Sequence, residues 1–157
     1  MVAENKDKLS NTLICNIEQV ARLGRISAYR FFDKNENIEV SFNEFLILEV
    51  LYDNPEIHQR NLAKILVKGT ANLSRDLDKL EKREIIRRTV SVKNNRTVKT
   101  LKLTEQGENI YLDICQKCIE HVKNLEDIFS QDDLKTFMNL IQKYKARLIE
   151  TCGEILE

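Results

Sequence analysis

HQRNLAKILVKGTANLSRDLDKLEKREIIRRTVSVKNNRTVKTLKLT occupies residues 58–104. Its spacing predicts two short helices, a two-stranded hairpin and the start of another helix. Leu62, Ile65 and Leu66 share one face at helical spacing. Lys68-Gly69-Thr70 breaks that pattern: Gly69 suits a left-handed helix end, and Thr70 suits the N-cap of the next helix. Leu73, Leu77 and Leu80 recur at i, i+4 and i+7, which gives the second helix one buried face. Asn72, Ser74, Arg75 and Lys79 fall on its other side. Two helices joined by so short a turn form a helix-turn-helix, and the second offers its first turns to base edges.

After Glu84 the period changes from helix to strand. Ile86, Val90 and Val92 alternate with Arg87, Thr89, Ser91 and Lys93. Asn94-Asn95 marks a turn, because Asn tolerates left-handed backbone. A second β-rich run covers residues 97–103, so Lys93, Asn94, Asn95 and Arg96 make a polar, basic hairpin tip. Helix, turn, helix and hairpin in this order are a winged helix-turn-helix.

The charge distribution agrees. The 157-residue chain has 25 Lys and Arg against 25 Asp and Glu. Residues 58–103, however, hold 13 basic and 4 acidic side chains, a net of +9, and the remainder of the chain carries −9. A neutral protein with one segment this basic has a directed field suited to phosphate. A merely solvated Lys/Arg face is the competing reading, and the coincidence with a recognisable motif argues against it.

Four segments carry a family resemblance: SFNEFLILEVL (41–51), NLAKIL (61–66), NLSRDLDKLEKREIIRR (72–88) and LKLTEQGENIY (101–111). They resemble the MarR family of winged helix-turn-helix transcription regulators, over residues 41–111. The resemblance implies a mainly α fold with a small β-hairpin wing. It also implies a homodimeric DNA-binding regulator, a repressor or activator, that responds to a ligand or signal. The DNA contacts it points to are Lys68, Thr70, Asn72, Ser74, Arg75 and Lys79, with Lys93, Asn94, Asn95 and Arg96 in the wing. Two positions depart from the family pattern. Glu84 stands where the family usually has Gly, which predicts a slightly strained left-handed helix end. The family's wing Asp-x-Arg falls on Asn95 and Thr97 in one register and on Asn94 and Arg96 in another; Arg96 is the preferred minor-groove residue.

Outward from this centre the chain is helical. Residues 8–34 read as one long helix with Leu9, Leu13, Ile17, Val20, Gly24, Ala28 and Phe31 near one face, and residues 33–40 as a polar linker. Ser41 with Glu44 is a capping box opening a helix through Tyr52, whose buried face is Phe45, Leu48 and Leu51. Asp53-Asn54-Pro55 is a turn. Thr104 caps a helix to about Glu126 with Tyr111, Ile114, Cys115, Cys118, Val122 and Leu125 on its stripe. Ser130 with Asp133 caps the last helix, where Leu134, Phe137, Ile141, Tyr144, Leu148, Cys152 and Ile155 line one side. A monomer has too little surface to cover such stripes, and a symmetric dimer is the simplest way to bury them. The expected organisation is a single MarR-like domain over residues 1–157. Residues 41–104 form its winged lobe, and residues 1–34 and 105–157 are dimerisation helices.

Composition limits the other possibilities. One Pro, four Gly and abundant Leu, Ile, Lys and Glu favour helix. No apolar run reaches the ~18 residues of a membrane span, and MVAENKDKLSN lacks a signal core, so a cytoplasmic location is expected. There is no Walker loop, GxGxxG, GxSxG or HExxH motif, nothing points to an enzyme, and no cofactor is implied.

Four cysteines, Cys15, Cys115, Cys118 and Cys152, should then be reduced, and core packing is the default reading. Cys115, Cys118 and His121 have zinc-ligand chemistry, but i+3 steps drift around a helix and converge poorly. Cys15 shares a side of the first helix with Arg22 and Tyr29. Some MarR-family hydroperoxide sensors place a reactive Cys in that helix near a Tyr, so Cys15 is a candidate redox site. The leading expectation is a dimer that binds pseudo-palindromic double-stranded DNA, modulated by a small molecule between the dimer helices and the winged lobe. A redox or metal sensor on the same scaffold is one alternative, and a winged-helix protein-interaction module is another.

Overall fold

The computed structural model describes residues 11–93 and 96–153, with backbone alone at 91–93 and 96–98. Among these described residues, six helices and a three-stranded antiparallel sheet follow one another as α1 (Leu13–Lys34), α2 (Phe42–Asp53), β1 (Ile57–His58), α3 (Gln59–Ile65), α4 (Thr70–Lys82), β2 (Ile86–Lys93), β3 (Arg96–Leu103), α5 (Glu105–Glu126) and α6 (Gln131–Cys152). The chain divides into two compact units, residues 1–42 and 43–157.

In the first unit, α1 follows Thr12 in extended backbone and ends where the Asn35 amide donates to the Phe32 carbonyl. Tyr29 and Phe32 both meet Phe42 edge to face, with ring centroids 5.6 and 5.5 Å apart. The apolar residues before that cluster are uncovered: Leu13, Ile14, Val20, Leu23 and Ile26 are all exposed.

The second unit is built on leucines. Leu62 from α3, Leu73, Leu77 and Leu80 from α4, and Ile47, Leu48 and Leu51 from α2 are buried, along with Ile85, Leu101 and Ile114. Removing each such side chain from water is worth about 1.5–3 kcal/mol. The predicted α4 face is therefore the observed one. In α3 the expected face shifts: Ala63 is buried beside Leu62, while Ile65 is 48% exposed. That helix is only 7 residues long, and its last turn lies beyond the core. In α2, Ile47 is fully buried and Phe45 only half-buried, and Glu44 is buried within ion-pair distance of Arg83, 3.7 Å.

The helix ends hold a second correction. Gly69 does not take the left-handed conformation; at φ −60° it is the N-cap of α4, and Thr70 is the first helical residue. The left-handed residue is Val67, at φ 48°. The Lys68 amide bonds to the Ala63 carbonyl and the Val67 amide to the Lys64 carbonyl, the paired bonds of a Schellman end. These bonds satisfy carbonyls that α3 would otherwise leave open, and they hold a β-branched residue where Gly is favoured. The end of α4 repeats the design, with Ile85 bonded to Leu80 and Glu84 to Glu81. Glu84 is left-handed at φ 57°, as expected from the sequence.

The sheet has one strand more than the hairpin. β1 pairs with β3 through Ile57 opposite Leu101 and His58 opposite Thr100, giving the order β1-β3-β2. Two residues directly before a helix carry too little periodicity to read as a strand. β2 and β3 pair from Ile86 opposite Leu103 to Lys93 opposite Arg96. Among the described side chains of this hairpin, Ile86, Leu101 and Leu103 are buried, while Val90, expected on an apolar face, is 61% exposed.

α5 starts where the hairpin ends. The Thr104 hydroxyl accepts from the Gly107 amide at 3.1 Å, which is the predicted cap, and also donates to the Glu84 carbonyl at 2.6 Å. Gly107 lies against the Ile85 carbonyl so closely that a Cβ there would be 2.1 Å from the oxygen. α6 begins at Ser130, whose hydroxyl accepts from the Asp133 amide at 3.2 Å as predicted. None of the described residues of α6 is buried.

Candidate nucleic-acid interface

α4 is sorted by face. At about 100° per residue, the core leucines take one side, and Asn72, Arg75 and Lys79 cluster within about 60° on the side away from them. All three are exposed. The helix also carries Asp76, Asp78 and Glu81, which would repel a phosphate backbone if left bare. They lie on the flanks, and each is held by a cation. Lys68 Nζ bonds to Asp76 Oδ2 at 2.6 Å, with both side chains largely buried. Arg88 Nη1 reaches Asp78 Oδ1 at 2.7 Å and Glu81 Oε2 at 3.0 Å.

Two of the predicted contact residues are thus already engaged within the protein. Lys68 pairs with Asp76, and the Ser74 hydroxyl accepts from Gln59 Nε2 at 3.0 Å, tying α3 to α4. Thr70 is exposed in the first turn of α4. In the wing, Lys93 and Arg96 are the last paired residues of β2 and β3. Asn94 and Asn95, and the side chains of Lys93 and Arg96, lie outside the described residues. The structure therefore brings Asn72, Arg75 and Lys79 onto one exposed face, leaves Thr70 exposed on a different side of the first turn, and turns Lys68 and Ser74 to internal bonds.

Arg88 is the residue the sequence reading passed over. It shares strand parity with Ile86, Val90 and Val92, on the face expected to be apolar. A charge at such a position was the signal available. Its side chain is only 21% exposed.

The residue pattern matched by the MarR family model covers residues 40–98, from the residue before the α2 capping position to the far strand of the wing. Over this segment the chain is similar to the MarR family. The MarR-type architecture extends past the matched segment. A MarR protein from Peptoclostridium difficile is 17% identical and superposes with a TM-score of 0.79 over 99% of this chain and 97% of its own. An E. coli MarR variant complexed with operator DNA is 19% identical, with a TM-score of 0.71 over 87% of this chain and 98% of its own. The PcaV regulator from Streptomyces coelicolor, in complex with its natural ligand, is 16% identical, with a TM-score of 0.70 over 86% and 95%. At these identities the likeness is one of fold.

The thiols are dispersed. Cys15, Cys115, Cys118 and Cys152 are free and half-buried. Burial, then the neighbouring Cys115, pushes the Cys118 thiol up, which favours its neutral form. Among the described residues no three His, Cys, Asp or Glu side chains gather as a metal site, so Cys115, Cys118 and His121 do not converge. Beside them, Tyr111 stacks on Phe45 and packs on Tyr52, with ring centroids 5.7 and 4.7 Å apart. Burial, a hydrogen bond with Cys115 and the charges of Glu49 and Asp53 raise its phenol above the usual range. No described helix is long and apolar enough to cross a membrane.

Proposed function

We propose that the protein is a sequence-specific regulator of transcription that binds pseudo-palindromic double-stranded DNA as a homodimer in the cytoplasm. We assign it the repressor type, with affinity modulated by a small molecule. The carrying observation is the exposed Asn72, Arg75 and Lys79 surface on a helix whose acids are neutralised from the flanks. Such a helix enters a major groove, where Arg grips a guanine edge or a phosphate and Asn pairs with adenine. Arg96 reaches the adjacent minor groove from the wing. An E. coli neighbour solved on operator DNA and the ligand-bound PcaV support the DNA and effector parts of this reading. The exposed apolar residues of α1 and the unburied α6 support the dimer. α1 and α5–α6 serve as its dimerisation helices and residues 41–104 as its DNA-binding lobe.

The test is a titration of two duplexes at two salt concentrations: one selected by the parent protein from a random library, the other random. Arg75→Ala should cost about 1–3 kcal/mol per half-site on the selected duplex and relax preference at one position. Arg96→Ala should weaken both duplexes more evenly and flatten the salt dependence. If both variants bind as tightly as the parent while still dimeric, α4 and the wing are not the DNA surface. Repression is tested by transcription from a promoter carrying the selected duplex.

A further inference from the structure

Arg88 stands on β2 at the base of the wing, yet everything its fork touches belongs to α4. Nη1 holds Asp78 and Glu81, and Nη2 lies 3.5 Å from the Ser74 carbonyl. Ser74, Asp78 and Glu81 follow one another at i, i+4 and i+7, so one guanidinium spans two turns of the recognition helix. Its Nε is buried with no hydrogen-bond partner. An apolar residue packed like Ile86 would fill this strand position without desolvating a charge or orphaning a donor. The arrangement therefore fixes direction at the expense of stability. With Nη1 held by two carboxylates and Nη2 facing the Ser74 carbonyl, the guanidinium plane is fixed at two points and defines the angle between strand and helix, which a leucine contact would not.

We propose that Arg88 is a positioning residue for DNA reading. It clamps the wing base to the recognition helix and so sets the angle at which Asn72 and Arg75 meet the base edges. The proposal rests on the reading of α4 and the wing as the DNA surface. Arg88 acts through Asp78 and Glu81 rather than on the DNA itself.

The experiment compares full-length parent, Arg88→Ala, Arg88→Lys and the double variant Asp78→Asn with Glu81→Gln. Each is titrated with the selected and the random duplex at two salt concentrations, and thermal unfolding is followed in parallel. Arg88→Lys keeps the charge and loses the fork, and the double variant keeps the arginine and loses its anchors, so both remain informative if Arg88→Ala fails to fold. All folded variants should lose discrimination between the duplexes by about tenfold, the scale of a misread base pair, with the salt slope of Arg88→Lys unchanged. Three results overturn the proposal. Arg88→Ala weakens both duplexes equally and lowers the salt slope by about one, which makes Arg88 a phosphate contact. The double variant tightens both duplexes equally, which makes the acids simple repellents. Or every variant discriminates as the parent does. A parent that shows no preference between the duplexes instead fails the underlying reading, and the clamp with it.

Discussion

Of the three non-glycine residues in left-handed backbone among the described residues, Glu56, Val67 and Glu84, the last two flank α4. Val67, at φ 48°, is the more costly because both branches of its side chain sit on Cβ. It is 67% exposed, so its removal sacrifices little packing. Val67→Gly should raise stability by about 1 kcal/mol and Glu84→Gly by somewhat less, read as a shift in the urea midpoint at unchanged slope. Glu84 was legible as a strained position in the sequence because it replaces an expected Gly. Val67 was not, since a Gly two residues later offered an easier solution that the chain does not use. A pH effect also belongs at this scale. Desolvation, then Asp53, raises the Glu49 carboxyl above its ordinary value. The folded protein therefore holds that proton more tightly than the unfolded chain. Its contribution to stability is complete at acid pH and falls as pH rises through the ordinary carboxylate range into the raised one. Glu49→Gln should stabilise the protein relative to the parent at pH 7 and leave it unchanged near pH 3, measured by urea unfolding at both.

At the level of elements, what was legible followed from periodicity. Three leucines at i, i+4 and i+7 found the buried face of α4, and Thr104 and Ser130 were recognisable caps because the chemistry of a cap is local. The residues missed act across elements. His58 becomes a strand residue only because Thr100 lies opposite, and Arg88 becomes a clamp only because α4 presents two carboxylates to it. Sequence alone points to Lys68, in the turn, and Ser74, on the outer side of the helix, as DNA contacts. Their partners, Asp76 and Gln59, are not readable from spacing alone. Thr104 joins the two kinds of residue, since its hydroxyl both caps α5 and donates to the exit of α4. Thr104→Val should cost about 1–2 kcal/mol, at the upper end for a lost cap. Thr104→Ser should recover most of it, as thermal unfolding would show.

For the whole molecule, the uncovered apolar residues are the main consequence of the sequence. α1 leaves Leu13, Val20 and Leu23 exposed, and Ile128 before α6 is 78% exposed. Deleting residues 1–34 should abolish the dimer and DNA binding, or cause aggregation. A full-length chain that sediments as a folded monomer at micromolar concentration would contradict the dimer. The close approach at Gly107 constrains how α5 can move. α5 has 22 residues, so it is a rod of about 33 Å, and a tilt of about 5° moves its far end by about 3 Å. At its near end there is no slack, because the backbone of Gly107 lies directly on the carbonyl of Ile85, three residues past the last turn of α4. With its short arm seated on the exit of α4, the helix should act as a lever, so that a displacement at its far end is expected to change where α4 points. Gly107→Ala would wedge the seat open. Its expected signature is a loss of about 1–3 kcal/mol in stability together with a DNA affinity that no longer follows what happens at the other end of the rod.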